Sequence, residues 1–476
     1  MAANGSRTRL RNRNARAILI YVVMVIAPAL VAIALLTGAN NDSSAPSTAK
    51  MMVGHPLAQL LLAVAVVVGA CKAAGWLVQR LGQPPVIGEI TAGILLGPSV
   101  LAALWPSGAA VLLPKAVVPQ LNVLAQLGVI LFVFLTGLEL NTKLLQGRGQ
   151  LALLVSHVSI SLPFLLGVAL AVFAYLKFAP EGTGYLAFAL FFGVSMSVTA
   201  LPVLVRILQD LGLFRTEVGV VALTCALIDD VTAWSLLALV VALVTASSMM
   251  GVLLTIGLTM VFAALMFFVL RPLLARWVTR MKPHHVRGIA PLALVAILLC
   301  AMATEWIGVH AMFGAFVFGM IFPRDNLIEE WLHDKVGGLT AALLLPLFFA
   351  YSGLRTEIGL LGANLELWLW CGLILVVAVA GKLVGSAMAA RAVGESWNHS
   401  WQVGSLMNCR GLTELVVLNV GLDLGVLSPT LFTMLVIMAL ISTAMSGPMV
   451  VWLRRKDQSS VVQADFSVSR TDRKAA

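Results

Sequence analysis

The sequence predicts an all-α polytopic membrane protein of about 13–14 transmembrane helices. Three observations predict it. Apolar residues make up 60% of the chain and charged residues only 11%, so there is little room for a soluble domain, which carries about 25% charged residues. The apolar residues lie in continuous runs, most of them long enough to cross a bilayer as helices, and not in the short alternating segments of a β-barrel. The basic residues fall on one side of those runs, which gives the net charge of +10 a reading in membrane topology and none in nucleic-acid binding.

Residues 1–17 carry Arg7, Arg9, Arg11, Arg13 and Arg16 and read as a basic cytoplasmic tail. The run at 18–37 has the basic start of a signal peptide but is long enough to span, so it reads as an uncleaved signal-anchor helix. A polar loop rich in Asn, Ser and Pro closes this extra segment at about residue 56. The transmembrane domain covers 57–453, with runs near 57–79, 84–104, 117–140, 150–178, 184–209, 215–247 and 250–279 in its first part. Further runs lie near 286–307, 308–323, 336–359, 365–392, 399–422 and 428–453, of which 308–323 is short for a span. Residues 454–476 read as a short cytoplasmic tail. With the N-terminus inside, 24 of the 31 Lys and Arg residues are cytoplasmic and 4 (Lys50, Lys115, Lys177, Arg355) are outside. The other 3, Lys72, Lys382 and Arg410, lie within spans.

An internal repeat supports the span count. Phe134-Leu135-Thr136-Gly137-Leu138 recurs as Phe349-Ala350-Tyr351-Ser352-Gly353-Leu354, and Gln209-Asp210-Leu211-Gly212 recurs as Leu422-Asp423-Leu424-Gly425, at nearly constant offset. The repeats, about 57–247 and 286–453, hold six spans each with one span between them, so they have opposite orientation. Inverted repeats are an architecture of secondary transporters, with the site at the midplane.

Asp229 and Asp230 lie mid-run in Cys225-Ala226-Leu227-Ile228-Asp229-Asp230-Val231-Thr232-Ala233-Trp234. An acid at that depth costs roughly 2.5–3.5 kcal/mol or more, and such residues mark ion or proton paths. The bland reading is an interhelical ion pair. Neighbours on a helix point about 100° apart, so one partner cannot easily serve both. The 184–209 run places Gly193, Ser195, Ser197 and Thr199 ahead of Pro202: either a helix break with carbonyls and hydroxyls free for a cation, or a kink whose hydroxyls bond their own backbone. The matching run, 399–422, holds Asn408, Arg410 and Glu414 at corresponding depth. Arg410 and Glu414, four apart, either neutralise each other or meet the ion. Lys382 is mid-span and needs a carboxylate, Asp229 or Asp230. Glu89 lies nearer the cytoplasmic end of its span, as a structural group or part of an entry funnel. The five cysteines fall in apolar runs as core residues, and His284-His285 falls in a basic loop. No nucleophile–base pair, phosphate loop or metal-ligand cluster is recognisable, so neither an enzyme nor a cofactor is expected.

Gly88-Glu89-Ile90 through Leu96-Gly97-Pro98-Ser99, Phe134-Leu135-Thr136-Gly137-Leu138-Glu139-Leu140, Ile228-Asp229-Asp230-Val231-Thr232-Ala233-Trp234, His310-Ala311-Met312-Phe313-Gly314-Ala315-Phe316 and Arg410-Gly411-Leu412-Thr413-Glu414-Leu415 occur in that order. Together they resemble the monovalent cation:proton antiporter family, in the branch of bacterial sodium/proton and potassium/proton exchangers and their plant relatives. The resemblance covers about 57–453. It implies a homodimer of inverted-repeat protomers in a lipid bilayer, each with a dimerisation part and a six-helix transport part where two broken helices cross. It implies that Asp230 carries the transported metal cation (Na⁺ or K⁺) or the proton, with Thr199 and Ser197 beside it, and that Asp229 pairs with Lys382. Asn408, Arg410 and Glu414 belong to the second crossing helix. The 18–37 helix is extra to the family's usual thirteen spans. The short C-terminal segment leaves no room for a nucleotide-sensing domain, so regulation of that kind is not expected.

These readings converge on secondary active antiport by alternating access at the aspartate pair, in the plasma (inner) membrane of a bacterial host. The alternatives are a passive gated cation channel and a sodium-coupled organic anion symporter on a similar scaffold, for which Arg410 is the only candidate anion ligand.

Overall fold

The structure, a computed structural model, describes residues 56–139, 149–214, 216–245, 249–279, 289–323 and 332–475. The basic tail, the 18–37 run, the polar loop and the His284-His285 loop lie outside the described residues. Every regular element among the described residues is a helix.

Helix α1 is Pro56–Arg80 and α2 is Pro85–Leu96. Pro84-Pro85 starts α2 at no cost, because the first helical N–H has no partner in any case. Helix α3 is Val118–Glu139, and α4 is Gly149–Phe178 with Pro163 inside it. The 184–209 run is two helices, α5 (Tyr185–Ser197) and α6 (Leu201–Asp210), with Val198 and Ala200 extended between them. Helix α7, Glu217–Thr245, is unbroken. Helix α8, Met249–Ala264, passes through a π-helical turn, Leu265–Leu270, into Arg271–Thr279. Helices α9 (Ile289–Ile307) and α10 (Ala311–Ile321) are separated by Gly308 and His310, both with positive φ. Helix α11, Leu345–Leu354, follows two π-helical turns. Helix α12, Leu365–Ala392, starts on Asn364, whose side chain accepts from the Glu366 N–H at 3.0 Å. The 399–422 run is again two helices, α13 (Trp397–Met407) and α14 (Leu412–Asp423). Helix α15 is Pro429–Ala475, with Pro429–Arg454 as its apolar part.

The protein is a multi-pass membrane protein: 10 helical stretches among the described residues are long and apolar enough to cross a bilayer. The run expected at 308–323 holds only the 11-residue α10, about half of what a bilayer needs. The helices pack in two groups. In one, α1, α2, α3, α9, α10 and α11 lie on one another; in the other, α4, α5, α7, α12, α13 and α15 do. Small residues set the close approaches. Gly137 and Gly319 face each other across α3 and α10, where a Cβ on Gly319 would stand 3.0 Å from the Gly137 Cα. The first broken helix is interior, with 83% of its apolar window buried against 17% for the stretch containing α8. All five cysteines are buried and free. Lys72 Nζ stands 3.5 Å from the Glu89 carboxylate and donates to the Ala341 carbonyl at 3.1 Å. Glu89 is thus one half of an ion pair.

Candidate functional site

Helix α7 carries Asp229 and Asp230 into the protein interior, where they are 0% and 1% exposed. Their different directions on the helix give them different surroundings. The Asp229 carboxylate accepts on Oδ1 from Ser156 Oγ at 2.5 Å. On Oδ2 it accepts from Ser159 Oγ at 2.9 Å, Thr199 Oγ1 at 2.6 Å and Lys382 Nζ at 3.3 Å. Lys382, 0% exposed, donates also to Ser159 Oγ at 3.0 Å and to Thr199 Oγ1. The three N–H bonds of the ammonium therefore have three acceptors, and Asp229 is filled with donors. Both oxygens of Asp230 have no hydrogen-bond partner among the described residues. A buried carboxylate without donors is very costly as a bare anion.

Local packing explains why Lys382 reaches the pair. A Cβ at Gly381 would stand 3.2 Å from the Pro163 Cα, and one at Gly385 would stand 2.8 Å from Leu162 Cδ2. The two glycines let α12 lie against the proline-containing part of α4, which brings Lys382 to Ser159.

The two helix breaks meet. The Ala200 N–H donates to the Cys409 carbonyl at 3.0 Å, joining the extended segments directly. Arg410, 0% exposed, donates to the carbonyls of Ser195 at 3.3 Å and Met196 at 2.7 Å. These are last-turn carbonyls of α5, at the negative end of its dipole, so the guanidinium caps that half-helix. It also donates to Glu414 Oε1 at 3.2 Å, and Glu414 stands in the first turn of α14, where a negative charge is favoured. The Arg410 peptide is clamped by Thr443 of α15, which accepts from its N–H at 3.0 Å and donates to its carbonyl at 2.7 Å. Asn408 donates to the Ser442 carbonyl at 3.2 Å. Arg410 and Glu414 do neutralise each other, and Arg410 in addition holds the two breaks together.

The hydroxyls of the first break divide. Ser195 and Ser197 donate to the Phe191 and Val194 carbonyls of their own helix, at 2.8 and 2.9 Å. Only Thr199 reaches the aspartate. Ser197 therefore lies near the break without a bond to either aspartate. Sequence reasoning missed Ser156 and Ser159. Their signal was the hydroxyl series Ser156, Ser159 and Ser161 ahead of Pro163, the pattern that marked the 192–202 segment.

Comparison with known proteins adds to this geometry. The family model described as sodium/hydrogen exchanger, transmembrane, matches residues 62–456. The chain is similar to the Na⁺/H⁺ antiporter NhaS4 of Synechocystis sp., with 42% identity over 401 residues that cover 83% of this chain and 97% of that protein. It is similar to cation/H⁺ antiporter 17 of Arabidopsis thaliana, at 37% identity over 88% of this chain and 51% of that protein. It is also similar to K⁺/H⁺ antiporter 1 of Saccharomyces cerevisiae, at 33% identity over 83% of this chain and 46% of that protein. The chain thus spans about half the length of these plant and yeast relatives. Among solved structures, the fold matches that of the sodium proton antiporter MjNhaP1 from Methanocaldococcus jannaschii, with a TM-score of 0.59 and 13% identity over 84% of this chain and 97% of that one.

Proposed function

The chain belongs to the sodium/hydrogen exchanger family, and from that premise we propose that it is a secondary active antiporter exchanging a monovalent metal cation, Na⁺ or K⁺, for protons. The observation that carries the reading is the unlike treatment of two adjacent aspartates. Asp229 accepts four hydrogen bonds and faces Lys382, while Asp230, equally buried, accepts none among the described residues. Asp230 is the carboxylate with lone pairs to offer a cation or a proton.

Exchange follows from competition at one carboxyl. A proton or a metal cation neutralises Asp230, but both cannot occupy it, and leaving it bare in a dry site is strongly unfavourable. The site therefore changes sides loaded with one or the other, which couples the two fluxes. Alternating access moves the helix group holding α4, α5, α7, α12 and α13 against the group holding α2, α3, α10 and α11. Thr199 joins the first break to Asp229, so movement at the break reaches that carboxylate directly. The protein works as a homodimer in a bacterial inner (plasma) membrane.

The symporter reading needs a cation free to bind the anion. Arg410 is its candidate, and that guanidinium already serves Ser195, Met196 and Glu414. A channel would not need an ion-binding carboxylate held bare of donors.

The test is proton flux in proteoliposomes with an acidic lumen. Na⁺, then K⁺, then choline is added outside. The expected result is lumenal alkalinisation with a metal cation and not with choline, lost in Asp230→Asn. Cation movement with no pH change overturns antiport, and normal exchange in Asp230→Asn overturns the assignment of Asp230.

A further inference from the structure

We propose that helix α4 is a third arm of the ion site, in which Ser156 and Ser159 are positioning residues that tie Asp229 to Lys382 and leave Asp230 alone to exchange its ligand. The proposal rests on the antiport reading and adds to it the residues that separate the two aspartates.

The direction of the hydroxyls carries the argument. A serine or threonine inside a helix ordinarily donates to a carbonyl three or four residues back. This chain follows that habit at Ser161 (to His157), Ser195 (to Phe191), Ser235 (to Val231) and Ser352 (to Phe348). Ser156 and Ser159 break it. Both are 0% exposed, and each sends its single proton across to Asp229. Ser156 is the donor on Oδ1, and Ser159 shares Oδ2 with Thr199 and Lys382.

Ser159 also has a polarity. It accepts from Lys382 Nζ at 3.0 Å and donates to Asp229 at 2.9 Å. A hydroxyl has one proton, so a Ser159 that donates to Asp229 can meet Lys382 Nζ only as an acceptor. A metal cation on Asp229 would have to displace these donors. Asp230 meets no such competitor. The serines thus keep Asp229 a fixed acceptor and reduce the exchanging groups from two to one.

Removing the hydroxyls strips Oδ1 of its donor and leaves Oδ2 with Thr199 and Lys382. Asp229 then loses its anchor on α4, and Lys382, no longer held by Ser159, is free to compete with the cation at Asp230. The readout is the split between KM for the cation and kcat at one fixed pH, beside the melting temperature. Ser156→Ala/Ser159→Ala is expected to raise KM for the cation several-fold, with kcat changed less. Ser156→Thr/Ser159→Thr, which keeps the hydroxyls, should restore the wild-type KM. A merely structural role would lower the amount of folded protein without changing KM. If the double alanine variant fails to assemble, Ser156→Ala alone is read, since it removes the donor on Oδ1. An alanine variant with the wild-type KM overturns the proposal. Asp230→Asn is run beside it: exchange in that variant would sink the antiport site itself, whereas a dead Asp230→Asn with normal alanine variants sinks only the role of the serines.

Discussion

Lys382 is the residue whose removal separates a structural from a functional role for the aspartates. It is 0% exposed and is the cation at Asp229. Lys382→Ala leaves a buried carboxylate uncompensated, a loss of about 3–5 kcal/mol for a buried ion pair broken from one side. A clear fall in the melting temperature in detergent is expected. Asp230→Asn should keep the wild-type melting temperature, because Asp230 has no donor to lose among the described residues. An unchanged melting temperature in Lys382→Ala would contradict the pairing. This part of the site was legible in the sequence because charge type and depth in an apolar run already restrict what a residue can do. Asp229, Asp230 and Lys382 announce themselves in this way. Ser156 and Ser159 do not: a serine in a helix usually serves its own backbone, and only the rotamer, which the sequence does not print, shows which ones turn away. Ser197 was a candidate for the same reason that Ser156 was overlooked.

At the level of single helices, Pro202 leaves the first segment open between a break and a kink, and a break in the second is implied only by the family resemblance. The union of the two was not foreseeable from their residues. The Ala200 to Cys409 bond and the reach of Arg410 to the end of α5 join residues more than two hundred positions apart. Nothing in either segment alone prescribes that partner. The seat of Lys382 depends on a similar long-range fit, between Gly381 of α12 and Pro163 of α4. Gly381→Val would place branched methyls against that backbone, an overpacking cost of about 1–3 kcal/mol. Exchange should slow and the melting temperature should drop in this variant. A variant with wild-type rate and stability would show that α12 does not need to lie so close. The half-length of α10 was also outside what pattern reading supplies. Its apolar run is continuous with its surroundings, and it ends where Gly308 and His310 take positive φ.

Across the whole molecule, a polar tie joins α11 of one helix group to α14, which packs on α5 and α15 of the other, at the end that the charge count places outside. Arg355, just past α11, pairs with Asp423 of α14 at 2.7 Å and donates to Asn419 at 3.1 Å. Asn419 in turn donates to the buried Ser352 of α11 at 2.7 Å. Movement of one group past the other has to break this tie. Arg355→Ala should therefore raise amide hydrogen exchange across Leu412–Asp423 while α4 stays protected. Unchanged protection of α14 would show that the tie does not hold it. The all-helical class and most of the span boundaries could be read from hydropathy and basic-residue bias, since both follow from the bilayer as solvent. The grouping of helices could not, because it is decided by small residues such as Gly137 and Gly319 that look alike wherever they occur.

The central claim is that one carboxyl, Asp230, is shared in turn by a proton and a metal cation. The half-saturating cation concentration measured against pH in proteoliposomes tests it most directly. Direct competition predicts that this concentration rises about tenfold for each unit of acidification on the acid side, while the maximal rate at saturating cation is regained. A half-saturating concentration that does not change with pH would mean that proton and cation bind at separate places, and would contradict the account.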